Sequence, residues 1–321
     1  MKFIDWFAGI GGFRRGMELA GHECVGFCEF DKYAVMSYTS MHLLTDEQRD
    51  YLMSMDLKSR QKEILKEEYR NGEWYADDIN RVYAGDIPDA DRWCFGFPCQ
   101  DISISGKQLG FKGSRSSLFF RIMYLIGQLE EEKKPEWLFI ENVKNLLSVN
   151  GGWDFAKLLV ELDRGGYDAE WEILNSKRYG VPQNRERLFI IGHNRGANKR
   201  RIFPVEETTD GVLKAVQCDT SGKGLKSQQD RFYLADGIMC CLPNARAKTK
   251  CLTFVDDKLH ILTARERLRL QGYDDESIDK AYFVNEPDEL AKQAGNGVTV
   301  NVIEAIARRF EIGTDQEHGD A

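Results

Sequence analysis

The feature that most constrains this chain is an alternation. From the N-terminus to about residue 195, short apolar runs trade places with longer stretches of helical spacing. "KFIDW", "HECVGFCEFD", "DRWCFGF", "EWLFIENV", "AEWEILNSKRYG" and "RLFIIGH" read as strands, while "GFRRGMELAG", "KYAVMSYTSMH", "SSLFFRIMYLIGQLEEE" and "DFAKLLVELDRGG" read as helices. Strands separated by helices of about 10–15 residues imply a mostly parallel, doubly wound α/β sheet. Residues 45–71 read as an exposed helical insertion or a long charged connection. The alternation is lost after about residue 200, and the mixed stretch 201–260 suggests a second, smaller unit. The end of the chain is helical again, with Val302, Ile303, Ile306 and Phe310 on one face that can pack back on the sheet. The expected division is residues 1–200 with 290–321 for the larger domain and 201–289 for the smaller.

Composition excludes several classes. A chain of 321 residues with 42% hydrophobic content can bury a core, and no apolar run is long enough to span a bilayer. The first residues, "MKFIDWFAGIGGFRRG", are not a secretory signal, because Asp5 interrupts the apolar part. The eight cysteines include no CxxC pair and no His/Cys cluster at zinc spacing, so free thiols in a reducing cytoplasm and no metal are expected. The net charge is −8, yet bases cluster. Residues 106–121 carry Lys107, Lys112, Arg115 and Arg121 without an acid, residues 177–201 carry eight bases against Glu186, and "NARAKTK" adds Arg246, Lys248 and Lys250. An acidic protein can still turn one basic face to phosphates.

Two strand ends carry chemistry. "DWFAGIGG" lies where the first strand meets the first helix, and Gly9, Gly11 and Gly12 permit a tight turn and close backbone approach to a ligand. Glu29 ends the second strand about 20 residues on, where an acid can bind ribose hydroxyls. Asp5, Glu29 and Asp78 put carboxylates around that pocket, which suits a cationic cofactor better than a pyrophosphate. The second feature is "CFGFPCQDIS", in which Cys99 follows Pro98 just past a strand, at the carboxyl edge where open α/β sheets bind ligands. Glu141 in "ENV" ends the next strand, and "QNRER" brings Arg185 and Arg187. A thiol, a carboxyl and two arginines on successive strand ends can converge on one small polar ring.

These segments carry a family resemblance. "FIDWFAGIGGFRRGME", "EFDKYA", "GFPCQDISISGKQLGF", "SRSSLFF", "FIENVKNLL", "GVPQNRERLFIIG", "LTARERLRLQGYDD" and "KQAGNGVTVNVIEAIA" resemble, in order, the motifs of bacterial and phage DNA (cytosine-5)-methyltransferases of the type II restriction-modification kind. The resemblance implies a Rossmann-like sheet binding S-adenosyl-L-methionine (AdoMet), with S-adenosyl-L-homocysteine as product, and a smaller target-recognition domain. It implies that Cys99 attacks C6 of cytosine, making an enamine whose C5 can accept a methyl. Glu141 would then meet N3 and the 4-amino group, Arg187 the 2-oxo group, and Arg185 would order the site. The stacked base must first be flipped out. For AdoMet the resemblance points to Phe7, Gly9, Gly11, Glu29, Phe30, Asp78, Ile79, Pro98, Leu118 and Asn296, with "ADDI" at 76–79 preferred to "GDI" at 85–87. Residues 100–117 become a lid over the flipped base, and Gln100, Ser103, Ser105, Lys107, Arg115, Arg246 and Lys248 become the DNA contacts. The implied partner is double-stranded DNA, with a cognate restriction endonuclease acting separately, a monomeric state, and no membrane.

The chain departs from the family's pattern in two places, the first being an insertion at 45–71 longer than a minimal member needs. Where the family usually shows a Thr-Leu pair in the recognition region, this chain has Cys241-Leu242. The reading surface is short, which suggests a target of about four base pairs. Three rivals remain open: a tRNA cytosine-5 methyltransferase, a silent DNA-binding protein on the same fold, and a nicotinamide oxidoreductase, which would leave Cys99 and its partners idle.

Overall fold

The structure is a computed structural model that describes residues 1–97, 117–196, 201–208, 218–219, 231–234, 237–244, 252–255 and 258–310. Its centre is a seven-stranded sheet. In chain order the strands of the first two-thirds are β1 (Lys2–Trp6), β2 (Glu23–Cys28), β3 (Trp74–Ala76), β4 (Arg92–Phe95), β5 (Trp137–Val143), β6 (Tyr167–Asn175), the short β7 (Gln183–Asn184) and β8 (Glu186–Asn194). The sheet order is β3-β2-β1-β4-β5-β8-β6. The five strands from β3 to β5 run parallel, and β8 lies antiparallel between β5 and β6. The sheet is therefore mostly parallel, as the alternation predicts. Its central strands are continuous apolar runs because both faces are covered: in β5 every residue from Trp137 to Asn142 is buried.

Helices α1 (Gly12–Leu19), α2 (Lys32–His42), α3 (Asp46–Met53), α4 (Leu57–Glu63), α5 (Ser117–Gln128) and α6 (Trp153–Arg164) belong to this half, and α7 (Ala264–Arg269), α8 (Asp275–Tyr282), α9 (Pro287–Asn296) and α10 (Val300–Arg309) follow the variable region. Two clusters of apolar side chains cover the two faces of the sheet. On one, α5 and α6 contribute Phe119, Ile122, Leu158 and Leu162. On the other, α10 contributes Val302, Ile303 and Ile306 beside Phe13 and Met17 of α1, with Phe310 just past its end. The face expected from sequence is the face that is buried. Helix α10 approaches α1 closely at Gly16, where a Cβ would stand 2.6 Å from Cβ of Ile303.

Residues 45–71 are helical, as expected, but less exposed than their charge implies. Thr45 and Gln48 form a capping box on α3, and Asp56 caps α4. Leu52, Ile64 and Tyr69 are buried against Met36 and Val284. The few apolar residues of this charged stretch thus dock it on the body of the protein.

Past residue 200, β9 (Cys218–Asp219), β10 (Arg231–Leu234), β12 (Leu252–Val255) and β13 (Lys258–Ile261) form a separate four-stranded mixed sheet, and β11 (Met239–Cys240) pairs with β7. Gln183 strengthens that junction: its side-chain oxygen accepts from Leu242 N–H at 3.1 Å, and its amide donates to Leu270 O at 2.7 Å. Helices α7, α8 and α9 share a cluster with Ile10, Ala34 and Met41, so they pack against the first turn and α2. Among the described residues, no helix is long and apolar enough to cross a membrane.

Candidate active site

The carboxyl ends of the strands build two adjacent corners. The first begins at the turn after β1. Phe7, Gly9 and Gly11 all adopt positive φ, at 55°, 57° and 83°. Glycine enters that region without strain, whereas Phe7 is held there by the surrounding fold. A Cβ on Gly11 would collide with the ring of His42. Glu29, at the end of β2, reaches back to this turn. Its carboxylate accepts from Gly9 N–H at 2.7 Å and from Asp31 N–H at 2.7 Å. Burial pushes the Glu29 carboxyl above its ordinary value, and the bonds from Asp31 and Gly9 pull it partly back. The next residue, Phe30, leaves its ring 81% exposed. Asp78 and Ile79 follow β3, which lies beside β2. Asp78 accepts from Asn80 N–H at 2.9 Å, and Ile79 is buried. Phe7 and Leu118 pack on the cluster that holds Ile79. Asn296 is exposed at the end of α9, and Val298, two residues on, crosses Gly12 so closely that a Cβ there would stand 2.7 Å from it.

The structure therefore brings the glycine turn, Glu29 and the "ADDI" segment to one edge. It does not place Asp5 there. Asp5 is fully buried and accepts from Arg14 N–H at 3.3 Å, and burial raises its carboxyl well above the ordinary range. A strand alternates its side chains between faces, and Asp5 falls on the face that packs under α1.

The second corner lies at the ends of β4 and β5. The Glu141 carboxylate stands above Gly96, where a Cβ would come within 3.1 Å of its Oε2. Arg187, at the start of antiparallel β8, forms an ion pair with Glu141, its Nε 3.1 Å from Oε1, with both side chains mostly buried. Asn142, which sequence reasoning passed over, donates to Phe97 O at 3.2 Å and so fixes the backbone next to Pro98. Its signal was present in the "ENV" triplet, because a buried amide must spend its donors on something. Arg185 is 3% exposed and donates to Gly297 O at 2.6 Å, to Gly295 O at 3.5 Å and to Cys241 Sγ at 3.3 Å. Burial lowers its affinity for its proton, and the charge of Arg187 adds to that. Pro98, Cys99, Gln100, Ser103, Ser105, Lys107, Arg115, Arg246 and Lys248 lie outside the described residues.

One sequence cluster does not survive as a cluster in space. As a linear run, the bases of 177–201 could turn one basic face to phosphates. Arg187 and Arg195 stand at opposite ends of β8, roughly 27 Å apart at the rise of an extended strand. Arg195 pairs there with Asp163 and, at 2.7 Å, with Asp168. Of the described bases in the run, Arg185 and Arg187 belong to the site. Arg121, from the other basic run, donates to the carbonyls of Ile79 and Val82 at 3.2 and 2.6 Å.

The corner can place a carboxyl and a guanidinium edge to edge on a flat polar ring, beside a backbone that leads into Cys99 and next to a turn suited to a nucleoside. Comparison with known proteins agrees with that chemistry. The family described as C-5 cytosine-specific DNA methylase matches residues 1–237 and 226–311. The type II methyltransferase M2.ScrFI of Lactococcus lactis subsp. cremoris is 32% identical over 97% of this chain and 99% of its own length. The type II methyltransferase M.HhaI of Haemophilus parahaemolyticus is 33% identical over 98% of this chain and 94% of its own. Among solved structures, S. pombe Dnmt2 superposes with a TM-score of 0.67 at 18% identity, covering 97% of this chain and 98% of that one. The Entamoeba histolytica methyltransferase EhMeth gives 0.68 at 16% identity, over 96% of this chain and 97% of its own. These two share the fold.

Proposed function

The chain belongs to the C-5 cytosine-specific DNA methylase family and is a DNA (cytosine-5)-methyltransferase, and on that premise we propose that it methylates C5 of a flipped-out cytosine in a short duplex sequence, using AdoMet and a covalent bond from Cys99 to C6. The observation that carries this reading is the Glu141–Arg187 pair at 3.1 Å, set above Gly96 at the entrance to "FPCQ".

The first corner fits AdoMet. The glycine turn bonded to Glu29 and the exposed ring of Phe30 suit a ribose and an adenine, and the carboxyls of Glu29 and Asp78 suit a cationic sulfonium. Phe7, Gly9, Gly11, Glu29, Phe30, Asp78, Ile79, Pro98, Leu118 and Asn296 would hold it. When bound, AdoMet supplies an electrophilic methyl group and leaves as S-adenosyl-L-homocysteine. No metal takes part in the proposed chemistry.

The rest belongs to the chain's own residues. The Cys99 thiolate adds to C6, and the C5–C6 double bond opens toward C5. Glu141 hydrogen-bonds N3 and the 4-amino group as charge builds on the ring, while Arg187 holds the 2-oxo group. After C5 has been methylated, loss of its proton restores the double bond and expels the thiolate. Arg185 orders Arg187 and the segment 295–297. Gln100, Ser103, Ser105, Lys107 and Arg115 are proposed to close over the flipped base, and Arg246 and Lys248 to meet the duplex from the unit at 201–289. The protein is proposed to act as a monomer in the cytoplasm beside a separate cognate endonuclease.

The test is transfer of labelled methyl from AdoMet to duplex DNA and to tRNA, followed by bisulfite sequencing of the DNA. Label at C5 of cytosine within one recurring duplex sequence is expected, and label in tRNA alone would overturn the proposal. Cys99→Ser should abolish transfer while AdoMet still binds, since the thiol is needed for attack at C6 and not for holding adenosine. Undiminished turnover in that variant would remove the nucleophile.

A further inference from the structure

Arg185 poses an electrostatic problem. It is 3% exposed, and among the described residues it forms no ion pair with a carboxylate. Among the described residues its partners are the carbonyls of Gly297 and Gly295 and the sulfur of Cys241, and its buried Nε has none. A buried cation with no anion to balance it is costly. A second guanidinium stands beside it, because Arg187 donates from Nη2 to the same sulfur at 3.5 Å while its Nε pairs with Glu141. Cys241 Sγ thus accepts from both arginines.

We propose that Cys241 is the positioning residue of the arginine pair: its sulfur accepts from Arg185 and Arg187 together and holds Arg187 against Glu141, presetting the edge that meets the cytosine. The inference rests on the roles given above to Arg187 and Glu141, and deepens them. With Cys241 as a thiolate, the two guanidiniums face one thiolate and one carboxylate, and the set is neutral. Burial works to raise this thiol, but Arg185 and then Arg187 outweigh it and hold it below the ordinary thiol value. Among the described residues the charged groups at the sulfur are these two arginines from 185–187. Glu141 of β5 is reached through Arg187, and the end of α9 brings only the carbonyls of Gly295 and Gly297. Cys241 also follows β11 directly, whose partner is β7, so this strand of the second unit is tied to the arginines through this sulfur. A threonine, the residue usual here in the family the chain resembles, offers an acceptor oxygen in the same place.

Valine and threonine share one shape and differ by a hydroxyl. Cys241→Val removes the acceptor, and Cys241→Thr keeps one. In methyl transfer to duplex DNA, Cys241→Val should lower kcat roughly ten- to hundredfold, the worth of a hydrogen bond to a charged group. KM for AdoMet should stay within about twofold, because Arg185 keeps its bonds to Gly295 and Gly297 on either side of Asn296, and Cys241→Thr should recover activity to within about threefold. Equal activity in the two variants would reduce the residue to packing and overturn the proposal. A second readout needs no variant: alkylation of Cys241 by iodoacetamide against pH, mapped by peptide mass in native and guanidine-unfolded wild-type protein. A lower native midpoint is expected, and an equal or higher one overturns the proposal. Because this arm reads the thiol without turnover, a wild-type protein that methylates no cytosine would sink the functional reading separately.

Discussion

Glu29 shows how one side chain can serve both the fold and the ligand. Its two oxygens take the N–H groups of Gly9 and Asp31, so the turn after β1 is moored to the end of β2 before any ligand arrives. Glu29→Ala would release both. Two bonds to a partly buried carboxylate are worth about 1.5–3 kcal/mol each, so AdoMet affinity should fall by tenfold or more. Titration calorimetry reads this directly, and an unchanged dissociation constant would count against the assignment. Glu29 was legible in the sequence because its function depends on local spacing: a strand, a turn, a helix and an acid about 20 residues on. The partners of Arg185 were not legible. Cys241 and Gly297 lie 56 and 112 residues away in the chain, and no periodicity encodes which distant carbonyl or sulfur a buried guanidinium meets. Asp5 failed for a related reason, since its position beside the turn was readable but the face of β1 it occupies was not.

Elements were legible by existence and less so by direction. "RLFIIGH" reads as a buried strand, yet nothing in it says that it runs antiparallel between β5 and β6. That reversal matters, because it brings the start of β8, and so Arg187, to the end of β5 and to Glu141. The α1–α10 contact is a second case. The apolar face of α10 was readable, and the price of its approach, a glycine at position 16, was not. Gly16→Ala sets two effects against each other. Alanine gains about 1 kcal/mol in helix propensity over glycine. Its Cβ would meet Ile303 at 2.6 Å and Val300 O at 2.8 Å, and overpacking of that kind costs about 1–3 kcal/mol. Backbone on one side gives little room to relax, so net destabilisation is expected. Urea unfolding should show a lower midpoint, and a raised one would mean that α10 can shift.

At the scale of the molecule, the total charge of −8 hides what matters, which is where charges stand. The basic run 177–201 is divided by the length of β8, and Arg195, just past that strand, is paired with Asp163 and Asp168. A linear sequence cannot show that division until the strand's extent is known. Burial of titratable groups also sets a pH response for the whole fold. His42 donates from Nε2 to Ile10 O at 3.0 Å beneath the first turn, and burial, with help from Arg14, pushes its pKa down to about 3. Unfolded histidine titrates near 6.5. The contribution is fully present above that value, and it is lost as pH falls toward 3, because the unfolded chain takes up a proton that the folded one refuses. Between pH 7.5 and 5 the urea midpoint of the wild-type protein should therefore drop more than that of His42→Gln, whose amide can still donate to Ile10. The comparison cancels the carboxylates the two proteins share, and parallel slopes would show that His42 is free to charge in the folded state.

The central claim is that one sulfur, Cys99, bonds to the cytosine while Glu141 and Arg187 hold the ring. The most direct measurement offers the protein AdoMet and duplex DNA carrying 5-fluorocytosine at the methylated position, where fluorine blocks the loss of the C5 proton. Mass spectrometry of the digested product should find one peptide, the one containing Cys99, joined to a methylated fluorocytosine, and none in Cys99→Ser. Efficient methylation of the ordinary duplex with no such adduct, or an adduct on a different residue, would contradict it.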